Sequence, residues 1–141
     1  MLMGEYNHTL DAKGRLIIPA KLRDRLGEEF VVTQGLDGCL FAFPYEEWKK
    51  FEEKLQQLPL SVAKARNFSR YFLAHAASCE LDRQGRILLP YKLRQAAGLE
   101  KEVVLAGVGN RVEIWDAARW EQACTFEDPN EIAENMEGLG I

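Results

Sequence analysis

Apolar residues recur along this chain with two different periods, and the changes between them mark its elements. Tyr45, Trp48, Phe51, Leu55 and Leu58 follow one another at steps of three, three, four and three, which predicts a helix with one apolar face that stops near Pro59. Val62, Ala65, Phe68 and Phe72 predict a second helix behind it. Val31-Val32 with Cys39 to Phe43, and Val103 to Ala106 with Arg111 to Trp115, predict strand pairs joined through glycine-containing loops. Arg111, Glu113 and Trp115 alternate with Val112 and Ile114, the pattern of a mostly half-buried strand. Asp116 is placed to cap a short helix through Trp120, and Asp128-Pro129 to start another.

The pattern also repeats. Leu10 to Arg23 reads LDAKGRLIIPAKLR and Leu81 to Arg94 reads LDRQGRILLPYKLR, identical at eight of fourteen positions with an offset of 71. The match runs on through Gly27 and Gly98, slips by one residue, and then aligns Val31-Val32 with Val103-Val104, Gly35 with Gly107, and Trp48 with Trp120. Each copy predicts a strand (from about Tyr6 in the first), a three-residue loop closed by Gly14 or Gly85 in a left-handed conformation, and a second strand, Arg15 to Ile18 in the first copy. Pro19 then suits the first position of a two-turn helix and Gly27 its end. The resulting organisation is a first repeat with its following helix over 1–58, a connecting helix over 59–76, a second repeat over 77–126 and an acidic tail over 127–141.

Composition narrows the class. A chain of 141 residues with 47% hydrophobic content is one ordinary domain with a real core, which excludes a large multidomain enzyme and wholesale disorder. Its longest run without a polar side chain, Gly38 to Tyr45, is too short to span a membrane, and the first ten residues lack a basic head and apolar run, so a cytoplasmic location is expected. Cys39, Cys79 and Cys124 are too few and too scattered for a disulfide framework or zinc knuckle and read as buried thiols. The net charge of −4 hides an asymmetry, because residues 121–141 contain six acids and no Lys or Arg. The preceding 120 residues carry 18 positive and 16 negative charges, so a basic patch on the body is compatible with the acidic total.

The sharpest chemical signal lies in the repeated turns. Across a three-residue loop Asp11 faces Arg15, and Asp82 faces Arg86, so each carboxylate can hold its guanidinium in one pose. A guanidinium held in that way presents a planar fork suited to phosphate or to a guanine edge. An ion pair of this kind in one copy would read as a closed turn and nothing more. Recurrence with Lys13, Lys21 and Arg23 in the first copy, and with Arg83, Lys92 and Arg94 in the second, favours a binding surface. Other candidates take structural readings. His75 and Cys79 lack a second ligand pair and read as core packing, His8 has no nucleophile motif beside it, and the stripe from Tyr45 to Phe51 reads as a packing face. Gly107 and Gly109 precede a strand pattern where a phosphate loop needs a helix. No metal site and no cofactor are expected.

At the two turns the chain resembles the MraZ family, bacterial transcription regulators related to AbrB-type swapped-hairpin proteins. The likeness rests on Asp-x-Lys-Gly-Arg-Leu-Ile-Ile-Pro from Asp11 and Asp-x-Gln-Gly-Arg-Ile-Leu-Leu-Pro from Asp82, and covers roughly residues 1–125. The resemblance implies a mainly β fold with short connecting helices, in which two AbrB-like halves form a pseudo-dimeric swapped-hairpin β-barrel within one chain, and assembly of several subunits into a ring. It also implies a nucleoid-associated protein that binds double-stranded DNA at short direct repeats upstream of the cell division and cell wall operon and controls its own transcription. In the family the motif Asp and Arg matter for DNA contact; here these are Asp11, Arg15, Asp82 and Arg86. Gln84 stands where the first copy has Lys13, and the acidic tail is the least family-like stretch.

Two other classes compete. An oligomeric interaction module of AbrB-like fold would bind protein partners and little or no DNA. An enzyme pairing Asp11 with Asp82 as shared-proton carboxylates is the weakest reading, because each aspartate faces an arginine that keeps it ionised. The expectation is therefore a protein that is not an enzyme.

Overall fold

The computed structural model describes residues 1–124 and 128–141. The elements run β1 (Leu2–Thr9), β2 (Arg15–Ile17), α1 (Ala20–Leu26), β3 (Glu29–Gln34), β4 (Leu40–Pro44), α2 (Tyr45–Gln56) and α3 (Ala63–Leu73). The second copy follows as β5 (Ala77–Glu80), β6 (Arg86–Leu88), α4 (Tyr91–Ala96), β7 (Glu102–Gly109), β8 (Val112–Asp116) and α5 (Ala117–Ala123), and α6 (Pro129–Asn135) lies beyond it. The fold is thus mainly antiparallel β with several short helices. The expected end of the second repeat at 126 and start of the tail at 127 lie outside the described residues. No described helix is long and apolar enough to cross a membrane.

Each repeat completes the other's sheet. The six-stranded sheet has the order β1-β7-β8-β4-β3-β5, and β2 pairs with β6 in a separate ribbon. The opening strand of the first copy lies along β7 from Leu2↔Gly109 to Thr9↔Glu102, while the opening strand of the second lies along β3 from Glu29↔Glu80 to Val32↔Ala77. The equivalent strands β4 and β8 meet antiparallel at the centre, as a two-fold relation between the halves requires. Strands β1 and β5 are the edges of this open sheet, so the described strands do not close into the expected barrel. The first strand also begins at Leu2, ahead of the expected Tyr6, because its partner along its whole length is the long β7, whereas its short hairpin mate β2 pairs with β6 and joins the hairpin at the Leu10↔Leu16 bridge.

Alternation along the strands sends side chains into two cores. Phe30, Val32, Leu40, Ala42, Val103, Leu105, Val112 and Ile114 face a central core closed by Leu16 and Ile87 of the ribbon and by Leu22 and Leu93 of α1 and α4. Val31, Phe41, Phe43, Val104 and Trp115 face a second core under α2, α3 and α5, where Trp48, Leu55 and Phe72 are buried. Burial on both faces explains why these strands read as nearly unbroken apolar runs. Thr33, fully buried, donates its hydroxyl to the Phe72 carbonyl at 2.6 Å and ties α3 to the sheet.

Several local expectations shift. Pro19 occupies the cap before α1 with ψ 140° and so precedes the first helical residue. Asp116 precedes α5 without a side-chain cap, because its Oδ1 accepts the Glu100 N–H at 3.3 Å instead. Asp128 does cap α6, accepting from the Asn130 N–H at 2.9 Å. His75, expected in the core, is exposed just beyond α3 with Nδ1 2.8 Å from the Tyr71 carbonyl, and Cys79 is buried on β5, so the two do not share a helix face.

The exchanged β1 passes very close to β7. A Cβ added to Gly107 would fall 2.7 Å from the Met3 Cα and 2.8 Å from the Leu2 carbonyl carbon, backbone atoms that cannot swing aside. Gly107→Ala is therefore expected to cost about 1–3 kcal/mol, the range for overpacking. Urea unfolding measures this, and an unchanged midpoint would contradict the close approach.

Candidate nucleic-acid interface

Each Gly-Arg turn is built by its own aspartate. Asp11 Oδ1 accepts the main-chain N–H groups of Lys13 (2.9 Å) and Arg15 (2.8 Å), while Arg15 Nε donates to Oδ2 at 2.6 Å. In the second copy Asp82 Oδ1 accepts from Gln84 (2.8 Å) and Arg86 (3.0 Å), and Arg86 Nε donates to Oδ2 at 2.8 Å. The Gly14 N–H closes the first turn on the Asp11 carbonyl and the Gly85 N–H the second on that of Asp82, both at 3.0 Å. Gly14 and Gly85 sit at φ 86° and 75°, a region that favours glycine. These hydrogen bonds, led by the main-chain N–H of Arg15 and of Arg86, hold both carboxyls below their usual range. Both aspartates are therefore ionised at neutral pH, which removes the shared proton that an acid-base pair needs.

The two turns are joined. Ribbon pairing sets Arg15 opposite Leu88, Leu16 opposite Ile87 and Ile17 opposite Arg86. The Ile18 N–H donates to the Gly85 carbonyl and the Leu89 N–H to the Gly14 carbonyl, each at 2.9 Å, so each turn anchors the other copy's strand. Leu16 and Ile87 point into the central core, and period-two alternation turns Arg15, Ile17, Arg86 and Leu88 to the outer face. There Arg15 and Arg86 are diagonal neighbours, with backbones about 7–8 Å apart by antiparallel geometry.

The other expected contact residues divide into two groups. Lys13 and Arg83 are exposed in the turns, at non-equivalent positions, and Lys21 and Lys92 are exposed in the first turns of α1 and α4. Arg23 and Arg94 are half-buried and reach across to the opposite copy. A Cβ on Gly14 would lie 2.7 Å from the Arg94 guanidinium carbon, and one on Gly85 2.9 Å from that of Arg23. Arg94 Nε donates to the Leu89 carbonyl at 3.1 Å, and its guanidinium lies 5.4 Å from the Tyr91 ring centre. The buried Arg23 Nε has no partner among the described residues. These two arginines pack on the turns, whereas Arg15 and Arg86 form the outer face. Ile17 and Leu88, 42% and 61% exposed, belong to that face and were absent from the sequence-based set. Their signal was the i, i+2 spacing from each arginine, hidden within an aliphatic run that reads as core.

A carboxyl whose folded pKa lies below its unfolded value stabilises the fold above the unfolded pKa and loses that contribution as pH falls through the folded one. The two turns are therefore expected to stay ordered from neutral pH down to about 4 and to loosen below it. Carbon-detected NMR should show Asp11 and Asp82 titrating below an aspartate in a short peptide. Arg15→Ala should raise Asp11 only partway, because the main-chain N–H remains, and should leave Asp82 unmoved. A peptide-like titration of Asp11 in the unaltered protein would contradict the geometry.

The chain matches the family model described as "MraZ protein, putative antitoxin-like" twice, over residues 1–71 and 72–135. It is 56% identical over 143 residues to the transcriptional regulator MraZ of Moorella thermoacetica, with both chains fully covered. It is also 55% identical over 141 residues to the protein of that name from Lachnoclostridium phytofermentans, covering all of this chain and 99% of the relative, and 55% identical over 143 residues to that of Pediococcus pentosaceus. With both copies matched and relatives of this similarity aligned end to end, the chain belongs to the MraZ family.

Proposed function

We propose that this protein is a transcription regulator that binds double-stranded DNA through the outer face of its crossed turns. The observation that carries the reading is the pair of arginines, Arg15 and Arg86, each held by an aspartate on one two-stranded ribbon. A ribbon of this kind fits the major groove, and a guanidinium held in a fixed plane suits bidentate contact with guanine or phosphate. Lys13, Lys21, Arg83 and Lys92 supply flexible charge to the backbone around it. Asp11 and Asp82 orient, and Arg23 and Arg94 position the turns. The names of the relatives support regulation of transcription.

The family resemblance extends the proposal to short direct repeats upstream of the cell division and cell wall operon, to control of the protein's own transcription, and to a nucleoid-associated place in the cytoplasm. The exchange of β1 and β5 between copies supports kinship with AbrB-type swapped hairpins. Several chains act together as a ring, since two motifs on an acidic chain bind weakly unless linked sites engage successive repeats. Leu60, Val62 and Phe68, exposed around α3, supply apolar surface for that assembly.

Fluorescence anisotropy on a duplex spanning the promoter upstream of the protein's own gene tests the reading. Arg15→Ala is expected to lose about 5- to 150-fold in affinity for that duplex relative to a scrambled one, the span of one bidentate base contact. Lys21→Ala should weaken both duplexes alike. Asp11→Ala should weaken specific binding even though it removes a negative charge. Equal affinity of the unaltered protein for promoter and scrambled duplexes, or tighter binding by Asp11→Ala, would overturn the reading.

A further inference from the structure

The outer face of the β2–β6 ribbon carries two aliphatic side chains that the described residues leave exposed. Ile17 is 42% exposed and Leu88 is 61% exposed, while their strand neighbours Leu16, Ile18, Ile87 and Leu89 are at most 1% exposed. A single exposed leucine means little. Here the same position of both repeats is exposed, although polar side chains would satisfy the outward face of such a ribbon without cost. The two lie diagonally across the ribbon, each opposite the other copy's arginine, Ile17 against Arg86 and Leu88 against Arg15. The surface is therefore a four-cornered patch in which two fixed cations alternate with two aliphatic groups.

We infer that Ile17 and Leu88 contact thymine methyl groups in the major groove and set sequence specificity together with the arginines. This rests on the DNA reading above and deepens it. Charge selects the occupant: Asp11 and Asp82 balance Arg15 and Arg86, which frame the patch, but Lys13 and Arg83 flank it in the turns and leave its surroundings net positive, an environment complementary to a polyanion. Chemistry selects the detail. The major groove presents one apolar group, the thymine C5-methyl, beside the acceptors that an arginine reads on guanine. A ribbon with arginines on one diagonal and aliphatic residues on the other matches a site in which guanine and thymine are read side by side, in the same sense on both halves of the two-fold arrangement.

Replacing thymidine by deoxyuridine removes the C5-methyl and leaves every hydrogen-bonding edge in place, so it isolates the contact. The promoter duplex from upstream of the protein's own gene, prepared once with thymidine and once with deoxyuridine, is titrated with the full chain in its native assembly. Each lost methyl contact is expected to weaken binding about fourfold, the equivalent of one buried CH2. Ile17→Ala/Leu88→Ala should bind the thymidine duplex more weakly and should no longer distinguish it from the deoxyuridine duplex. Equal affinity of the unaltered protein for both duplexes overturns the inference while leaving DNA binding intact. Failure to bind either duplex removes the DNA reading and this inference with it. Light scattering on the double variant adds an independent reading. An unchanged native mass supports a DNA-facing patch, and a reduced mass shows a contact between copies of this chain and overturns the inference. If the double variant does not fold, the comparison of the two duplexes with the unaltered protein decides alone.

Discussion

Neither repeat can satisfy its own backbone. The strand that opens each copy finds its ladder in the other, β1 along β7 and β5 along β3, and each turn's glycine carbonyl accepts an N–H from the opposite copy's strand. Buried N–H and C=O groups need partners, and pairing each across the pseudo-two-fold satisfies them in both halves together. The central core follows, since Leu16 and Ile87 close it only when the ribbon that holds them side by side has formed. The position of the candidate interface follows as well, because that same crossing brings Arg15 and Arg86 onto one face.

Two scales of organisation meet at the turns. Within a copy the aspartate sets the pose of its arginine through contacts spanning four residues. Between copies Arg94 packs on Gly14 and Arg23 on Gly85, so each turn is shaped by its own carboxylate and covered by a guanidinium from the other half. The copies differ where the difference is exposed. Lys13 and Gln84 occupy matching positions, and only the first copy is followed by the α2–α3 pair that roofs the second core. A common scaffold thus presents two similar turns of equal formal charge, with the loop cation at Lys13 in the first and one position earlier, at Arg83, in the second.

What the sequence disclosed was local. The internal repeat, the three-residue loops closed by Gly14 and Gly85, the Asp-Arg pairs and the helices that follow Pro19 and run from Tyr45 all depend on contacts within a few residues, and spacing alone shows them. Partners of strands are a different matter: a period of two reveals which face is buried but not which strand lies alongside, so the pairing of β1 with β7 was not legible. For the same reason Arg23 and Arg94 read as part of the binding surface alongside Lys21, and their packing on the opposite copy's glycine, which exists only after the halves exchange, was not legible. Ile17 and Leu88 were hidden by their neighbours, because an aliphatic run of three reads as buried while the ribbon faces solvent at every second position. Asp116 misled by a competing bond to a residue sixteen positions earlier, its carboxylate serving the Glu100 N–H and leaving α5 uncapped.

The central claim is that the two turns form one unit, each anchoring the other copy's strand. Native-state hydrogen exchange at two amides tests it most directly. The Ile18 N–H is held by the Gly85 carbonyl and the Leu89 N–H by the Gly14 carbonyl, so both should be strongly protected and should be released together, with the same opening free energy and the same denaturant dependence. Gly85→Ala, placed in a left-handed turn, should lower the protection of Ile18 in the first copy as much as that of residues beside it in the second. Exchange of Ile18 that is fast, or that is unmoved by a change at Gly85, would show that each turn stands alone and would contradict the account.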